Sequence, residues 1–152
     1  MGPECGSWGL PARGTSKRTF CNAFGAMHLD FVSHANECVA KLVLCLYLIV
    51  AKHGYFVLEQ PAQSLLVKAP RFEHFVNHVC FVFVTRFWMQ LLGHPSPKPT
   101  VVYSNGSWVK TLDLGVLKKE FRIANTSLKT TRLSPREVLG RFFQLIMPCK
   151  CL

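Results

Sequence analysis

The chain has 152 residues, of which 49% are hydrophobic and 17% charged, so it can bury a core and is too apolar to be intrinsically disordered. Its formal net charge of +10 is uneven, because 11 of the 18 basic residues but only 3 of the 8 acidic ones follow Val76. This excess disfavours polycationic partners. It favours nucleic acid or an anionic membrane surface, or it serves solubility alone.

The cysteines indicate the cellular compartment. There are seven of them, an odd number, several lie inside apolar runs, and no cleavable signal segment precedes them. We therefore expect buried free thiols rather than a disulfide framework, in an intracellular protein of the nucleus or cytoplasm.

The first half of the chain is predicted to be a loop followed by one long helix. Residues 1–25 are rich in Gly, Pro, Ser and Thr and read as an extended or active-site-like loop. From Asp30 apolar residues recur every three or four positions, which predicts a helix of five or six turns ending at Gly54. Its most apolar part, residues 41–51, is shorter than the ~20 residues that a bilayer requires, so we expect a core helix and no transmembrane segment.

Three short apolar runs then predict strands over residues 55–59, 78–85 and 100–105. A short helix with Pro70 in its first turn separates the first two runs, and a basic C-terminal stretch ends in a helix that starts at Ser134 and Pro135. This alternation predicts an α/β sheet covered on both faces by flanking helices.

Glu59 is the main candidate functional residue. It follows the run "YFVL" and precedes "QP", and functional groups of α/β sheets gather at such strand ends. The alternative is structural: Glu59 caps the next turn or pairs with a basic residue.

Glu59 belongs to the second of three short motifs in the chain. The segments "GPECGSWGLPARGTSKRT", "VLEQPAQSLL" and "GHPSPKPTVVYSN" occur in this order between Gly2 and Trp108. They resemble the nucleophile loop, the Glu-Asn-Pro motif and a later strand-entry segment of cytosine-specific DNA methyltransferases.

The resemblance implies roles for two side chains. Cys5 would be the nucleophile that attacks carbon 6 of a flipped-out cytosine, and Glu59 the carboxyl group that hydrogen-bonds the neighbouring ring nitrogen. Trp8 is a candidate to stack on the flipped base. Nearby positive charge would be needed to lower the pKa of the thiol, and basic residues of the first loop are candidates to supply it.

The chain also departs from this family. Glu4 replaces the proline before the cysteine, Gln60 replaces asparagine, and Lys98 stands where the family tends to carry arginine. The glycine-bearing turn that binds S-adenosylmethionine precedes the cysteine loop in the family and has no counterpart here. We therefore expect an incomplete Rossmann-like, methyltransferase-type sheet that lacks the N-terminal cofactor-binding half.

These features predict a methyltransferase-like segment over residues 1–112 and an unassigned basic tail over 113–152. We expect a partial or degenerate DNA cytosine methyltransferase-like domain that is inactive as an isolated chain, and whether it is an enzyme stays open. S-adenosylmethionine would bind only if a complementing domain or chain supplied the missing half, so no cofactor is expected for this chain alone.

The alternative is a non-enzymatic, basic nucleic-acid-binding module, and a third option is a membrane-surface protein. No metal is expected, since the pair His74 and His78 lacks further ligands at metal spacing. The candidate nucleic-acid contacts are the basic residues Arg13, Lys17, Arg18, Lys98, Lys118 and Lys119.

Overall fold

The computed structural model describes residues 6–79 and 81–116. The helix predicted from Ser134 and nearly all of the predicted basic tail, residues 117–152, therefore lie outside the described residues.

The N-terminal segment is more compact than the extended loop that its composition predicts. It contains a 3₁₀ helix, Leu10–Ala12, which continues into a single helical turn, α1, Arg13–Ser16. Lys17 ends this turn in the left-handed conformation, with φ 55°. Short turns thus replace the predicted open loop.

The long helix is confirmed as α2, Asp30–Ala51. Its end differs slightly from the prediction, because His53 takes the left-handed conformation with φ 55° and Gly54 donates its N–H to the carbonyl of Ile49 at 2.8 Å. The side of α2 that faces the fold buries four aliphatic side chains at helical spacing: Val32, Val39, Val43 and Leu46.

The opposite side of α2 is exposed and carries both apolar residues and the Glu37–Lys41 ion pair. Leu44 and Leu48 lie there, 62% and 60% exposed. Within residues 6–79 and 81–116, α2 is the one helix long and apolar enough to cross a membrane by length and composition. The core helix of a soluble protein passes the same test, so this is weak evidence for a span.

The remaining elements form a small sheet with one further helix. The 3₁₀ helices are Leu65–Lys68, Met89–Leu92 and Ser107–Leu112. The predicted helix at Pro70 is confirmed as α3, Pro70–His78. The three strands are β1, Val57–Pro61, β2, Phe83–Trp88, and β3, Pro99–Ser104.

The sheet has the order β1-β3-β2, and β3 runs antiparallel to both neighbours. The architecture is therefore mixed α/β with a small, open, antiparallel sheet. The edge strands do not behave as the continuously buried strands that their apolar sequences predict. Exposed and buried residues alternate along β1 and β2, whereas every residue of β3 after Pro99 is buried.

Each face of the sheet packs on a different layer. Leu58 of β1 and Tyr103 of β3 share a core with α2 and α3, and Val102 and Phe87 share a second core with the 3₁₀ helix Ser107–Leu112. Phe81 belongs to the run predicted as an apolar strand over residues 78–85, but it precedes β2, which begins only at Phe83, and is 91% exposed.

Gly25 has a conformation that other residues adopt only with strain. Its φ is +67°, and a Cβ there would overlap the carbonyl oxygen of Ser16 and lie 2.8 Å from Cγ of Arg18. Gly14, in α1, faces open space.

We predict that Gly25→Ala lowers the free energy of unfolding by about 1–3 kcal/mol, because it combines left-handed strain with an overlap. Urea denaturation measures this, with Gly14→Ala as the matched control, which should be neutral or slightly stabilising since alanine favours helix. Equal stabilities of the two variants would contradict the packing around Gly25.

Candidate functional site

The N-terminal segment docks at the carboxyl end of β1. The carbonyl of Trp8 accepts a hydrogen bond from the N–H of Leu65 at 3.0 Å, and Nη2 of Arg13 donates to the carbonyl of Gln63 at 3.2 Å. The N–H of Ala62 in turn donates to the carbonyl of Pro99, at the start of β3. The first loop, the end of β1 and the beginning of β3 therefore meet.

Glu59 and Lys98 form an ion pair at this end of the sheet, on the face opposite the one against which Trp8 packs. Nζ of Lys98 lies 3.3 Å from Oε1 of Glu59, and the two side chains are 42% and 35% exposed. The backbone of Lys98 is fixed, because its carbonyl accepts from the N–H of Met89 and from Oγ1 of Thr100. A partly exposed pair of this kind contributes only about 0–1 kcal/mol to stability.

The position of Glu59 differs from the prediction in one respect. We expected it at the end of a strand over residues 55–59, but β1 continues to Pro61 and Glu59 is its third residue. An edge strand accommodates this terminal proline without losing a central ladder bond. Because side chains alternate along a strand, Glu59 lies on the face opposite Leu58 and Gln60.

Gln60, the residue after Glu59, faces the interior. It is 1% exposed, and its Oε1 accepts a hydrogen bond from Oγ of Ser64 at 3.0 Å. Ser64 also caps the 3₁₀ helix Leu65–Lys68 by accepting from the N–H of Leu66. Gln60 thus anchors the turn that follows β1.

Cys5 lies outside the described residues, so its position relative to Glu59 stays a prediction. The described chain begins at Gly6, and the next two residues, Ser7 and Trp8, are buried. The segment that follows Cys5 is therefore packed into the fold.

Arg18 was predicted to contact nucleic acid, but the structure places it in the interior, 1% exposed. Nη1 donates to the carbonyl of Ala23 and to Oδ1 of Asn36, the latter at 2.8 Å. Nη2 donates to Oγ of Ser7 at 3.1 Å and to the carbonyl of Val32 at 3.3 Å.

Burial lowers the pKa of Arg18 from its usual range to about 10, so the guanidinium stays charged at neutral pH. Because its donors are directed at protein acceptors, it has no surface to offer a phosphate. Arg18 is a structural residue.

Trp8 is also a core residue rather than the stacking surface for a flipped base that we predicted. It is 2% exposed, and the guanidinium of Arg18 lies 3.6 Å from the centroid of its ring. Its ring is already covered by a cation, which is a favourable arrangement for a buried charge.

The other predicted nucleic-acid contacts divide into two groups. Arg13, Lys17 and Lys98 are at least partly exposed, and Lys118 and Lys119 lie outside the described residues. Sequence reasoning missed Phe20, whose ring is 67% exposed with the guanidinium of Arg13 at 5.4 Å from its centroid. The only signal in the sequence was an aromatic residue within a short, polar and basic segment.

The cysteines and histidines form no site in the described part of the chain. Cys21, Cys38 and Cys45 are free, as predicted, but two of them are exposed rather than buried. His74 and His78 stack at 4.7 Å, and no group of three potential metal ligands occurs among residues 6–79 and 81–116.

Two open cavities have linings that do not include Glu59. One of about 380 Å³ is a groove between α2 and α3, lined by residues including Leu44, Tyr47 and His74. The other, of about 570 Å³, lies beside β2 and is lined by Val84, Thr85, Arg86, Lys110 and Asp113.

No protein-family model, curated protein or solved structure matches this chain. The function must therefore be inferred from the chemistry of the site.

We predict that Arg18→Lys lowers the free energy of unfolding by about 2 kcal/mol or more, because an ammonium group cannot reproduce a fork that reaches four acceptors and covers an indole ring. Chemical denaturation measures the loss. Lys17→Ala, next to it and exposed, is the control and should change stability by less than about 0.5 kcal/mol. A fully stable Arg18→Lys variant would show that the buried network does not hold the segment.

Proposed function

We propose that this chain is a degenerate cytosine-methyltransferase-like domain that binds nucleic acid and holds a cytosine against the Glu59–Lys98 pair. The observation that carries the proposal is the pair itself: a carboxylate and an ammonium 3.3 Å apart, partly exposed, near the end of β1 and the start of β3. A purely structural ion pair would make the same contact. Selective binding of cytosine is what separates a binding site from a structural pair.

The edge of cytosine complements this pair. Cytosine presents an amino donor, then a ring-nitrogen acceptor, then a carbonyl acceptor. A carboxylate accepts from the amino group, as Glu and Asp do in base readout, and an ammonium donates to the acceptors. Thymine or uracil would instead turn a carbonyl oxygen toward the carboxylate and be repelled.

Methyl transfer would need more than this chain. Cys5 is the proposed nucleophile and S-adenosylmethionine the proposed donor, but the donor would be held by a complementing domain or chain. In the described part of the chain β1 is an edge strand, so its outer side is available to extend the sheet toward a larger, Rossmann-like one. We propose a nuclear or cytoplasmic location for such an assembly.

We predict that the chain binds a duplex with a single cytosine opposite an abasic site about 5-fold or more tightly than the same duplex with thymine there, since an unpaired base is easily extruded. Fluorescence anisotropy measures both affinities. Glu59→Ala should abolish the preference.

Glu73→Ala is the matched control, because Glu73 pairs with Lys68 at 2.8 Å with similar exposure. Both variants should change the free energy of unfolding by less than about 1 kcal/mol. Equal binding of the two duplexes by the unaltered chain, or a preference that survives Glu59→Ala, would rule out the proposed base contact.

The second candidate function is a non-enzymatic module that binds nucleic acid by charge alone. Arg86 and Lys110 favour it, because both line the cavity beside β2 and Lys110 lies over the ring of Phe83 at 4.8 Å. Lys118 and Lys119 follow five and six residues after Asp113, which lines the same cavity.

We predict that the double substitution Lys118→Ala and Lys119→Ala reduces the slope of log affinity for duplex DNA against log salt by about 1.8, the value for two lost phosphate contacts. The control is Lys41→Ala with Lys68→Ala, since both lysines are already ion-paired. An unchanged slope in the first variant would remove these two residues from the interface.

A further inference from the structure

A tight turn in the N-terminal segment presents Phe20 to solvent. The N–H of Thr19 donates to the carbonyl of Asn22, and the N–H of Asn22 donates to Oγ1 of Thr19, both at 2.9 Å. Oδ1 of Asn22 then accepts from the N–H of Gly25 at 3.2 Å. These bonds define the Phe20 turn, residues 19–22, with Phe20 and Cys21 at its tip.

The base of the Phe20 turn is held by the interior. Arg18 and Ala23, the residues on either side, are both buried, and the guanidinium of Arg18 donates to the carbonyl of Ala23. The chain therefore leaves the core at Arg18 and returns to it at Ala23, and these two residues are hydrogen-bonded to each other. Its phenyl ring is 67% exposed although its backbone is fixed, an arrangement in which little ordering is needed before a partner binds.

The charge around the turn is of one sign. Residues 6–29 contain Arg13, Lys17 and Arg18 and no acidic residue; the nearest acids in the chain are Glu4 and Asp30. The guanidinium of Arg13 lies over the Phe20 ring at 5.4 Å, and its bond to the carbonyl of Gln63 fixes it there. A flat aromatic surface beside cations is what an unpaired nucleic-acid strand needs, with stacking for a base and neutralisation for its phosphates.

We propose that the Phe20 turn, together with Arg13 and Lys17, binds an unpaired stretch of nucleic acid: one base stacks on Phe20, and the flanking phosphates contact the two cations. The inference rests on the proposed nucleic-acid binding but not on the choice of base at Glu59. The other residues of the turn, Thr19, Cys21 and Asn22, are polar or small, but Phe24 and Met27 follow it and are 46% and 56% exposed. A membrane surface is therefore the competing partner, and the vesicle arm of the alkylation experiment below separates the two.

Fluorescence anisotropy with a labelled 12-nucleotide thymidine strand tests the stacking. Phe20→Ala should weaken binding about 5-fold or more, Phe20→Tyr should retain it, and Phe20→Leu should lose it like alanine, because leucine keeps the apolar surface without a ring. Phe81→Ala, at a phenylalanine that is 91% exposed, is the control and should bind as the unaltered chain does. Binding that survives Phe20→Ala, or that Phe20→Leu retains in full, would overturn the proposal.

The phosphate contacts are tested separately with the same strand. Arg13→Ala and Lys17→Ala should each reduce the salt slope by about 0.7, the value per phosphate for single strands. Slopes that neither substitution changes would leave the strand without its predicted backbone contacts.

Alkylation of cysteines locates the strand on the surface. Cys21 lies next to Phe20, whereas Cys45 is exposed on α2, so both react in the free protein. The thymidine strand should slow alkylation of Cys21 several-fold and leave Cys45 unchanged, as read out by peptide mass spectrometry. Protection of neither or of both equally would contradict the site, as would protection of Cys21 by phosphatidylserine-containing vesicles but not by the strand.

The two proposals fail in different ways. Phe20→Ala should weaken binding of cytosine and thymine duplexes equally, whereas Glu59→Ala should remove only the difference between them. Loss of base preference with intact strand binding would refute the base contact at Glu59 and leave the Phe20 turn standing.

Discussion

The guanidinium of Arg18 connects three parts of the molecule that are distant in sequence. It donates to Ser7 in the first loop, to Ala23 beyond the Phe20 turn, and to Val32 and Asn36 on α2. A buried charge is costly unless it is hydrogen-bonded, and here both terminal nitrogens of the guanidinium are bonded whereas the buried Nε has no partner in the described part of the chain. Each of the four contacts would have to be replaced by water if the segments separated. The N-terminal segment is therefore held to α2 although it contains only short helical turns.

This anchoring determines what the surface can do. With Trp8 beneath Arg18 and bonded to Leu65, the first loop reaches the end of β1, where Arg13 joins Gln63. The Glu59–Lys98 pair at the same end is exposed enough that exchanging its partner costs little stability. The buried Arg18 network fixes the N-terminal segment, and the partly exposed Glu59–Lys98 pair leaves its polar groups accessible to solvent.

The helices were the most predictable elements of the fold. The apolar spacing from Asp30 and the proline at position 70 locate α2 and α3 correctly, since helix formation depends on residues within a few positions of one another. Strand pairing depends on distant residues. The sequence therefore indicated three strands but placed β2 several residues early, and its apolar runs suggested buried strands where the structure has two half-exposed edges.

The candidate site likewise has features that the local sequence indicates and features that depend on distant residues. In the sequence, Glu59 was marked by its position after an apolar run and Lys98 by a motif that resembles one of the methyltransferase family, and the helices were marked by their periodicity. Only the tertiary structure brought Glu59 to Lys98, turned Arg18 and Trp8 inward, and left Phe20 outside. The physical reason is that the burial of a side chain is decided by whichever distant segments pack around it, and a local pattern of residue types carries no information about those partners.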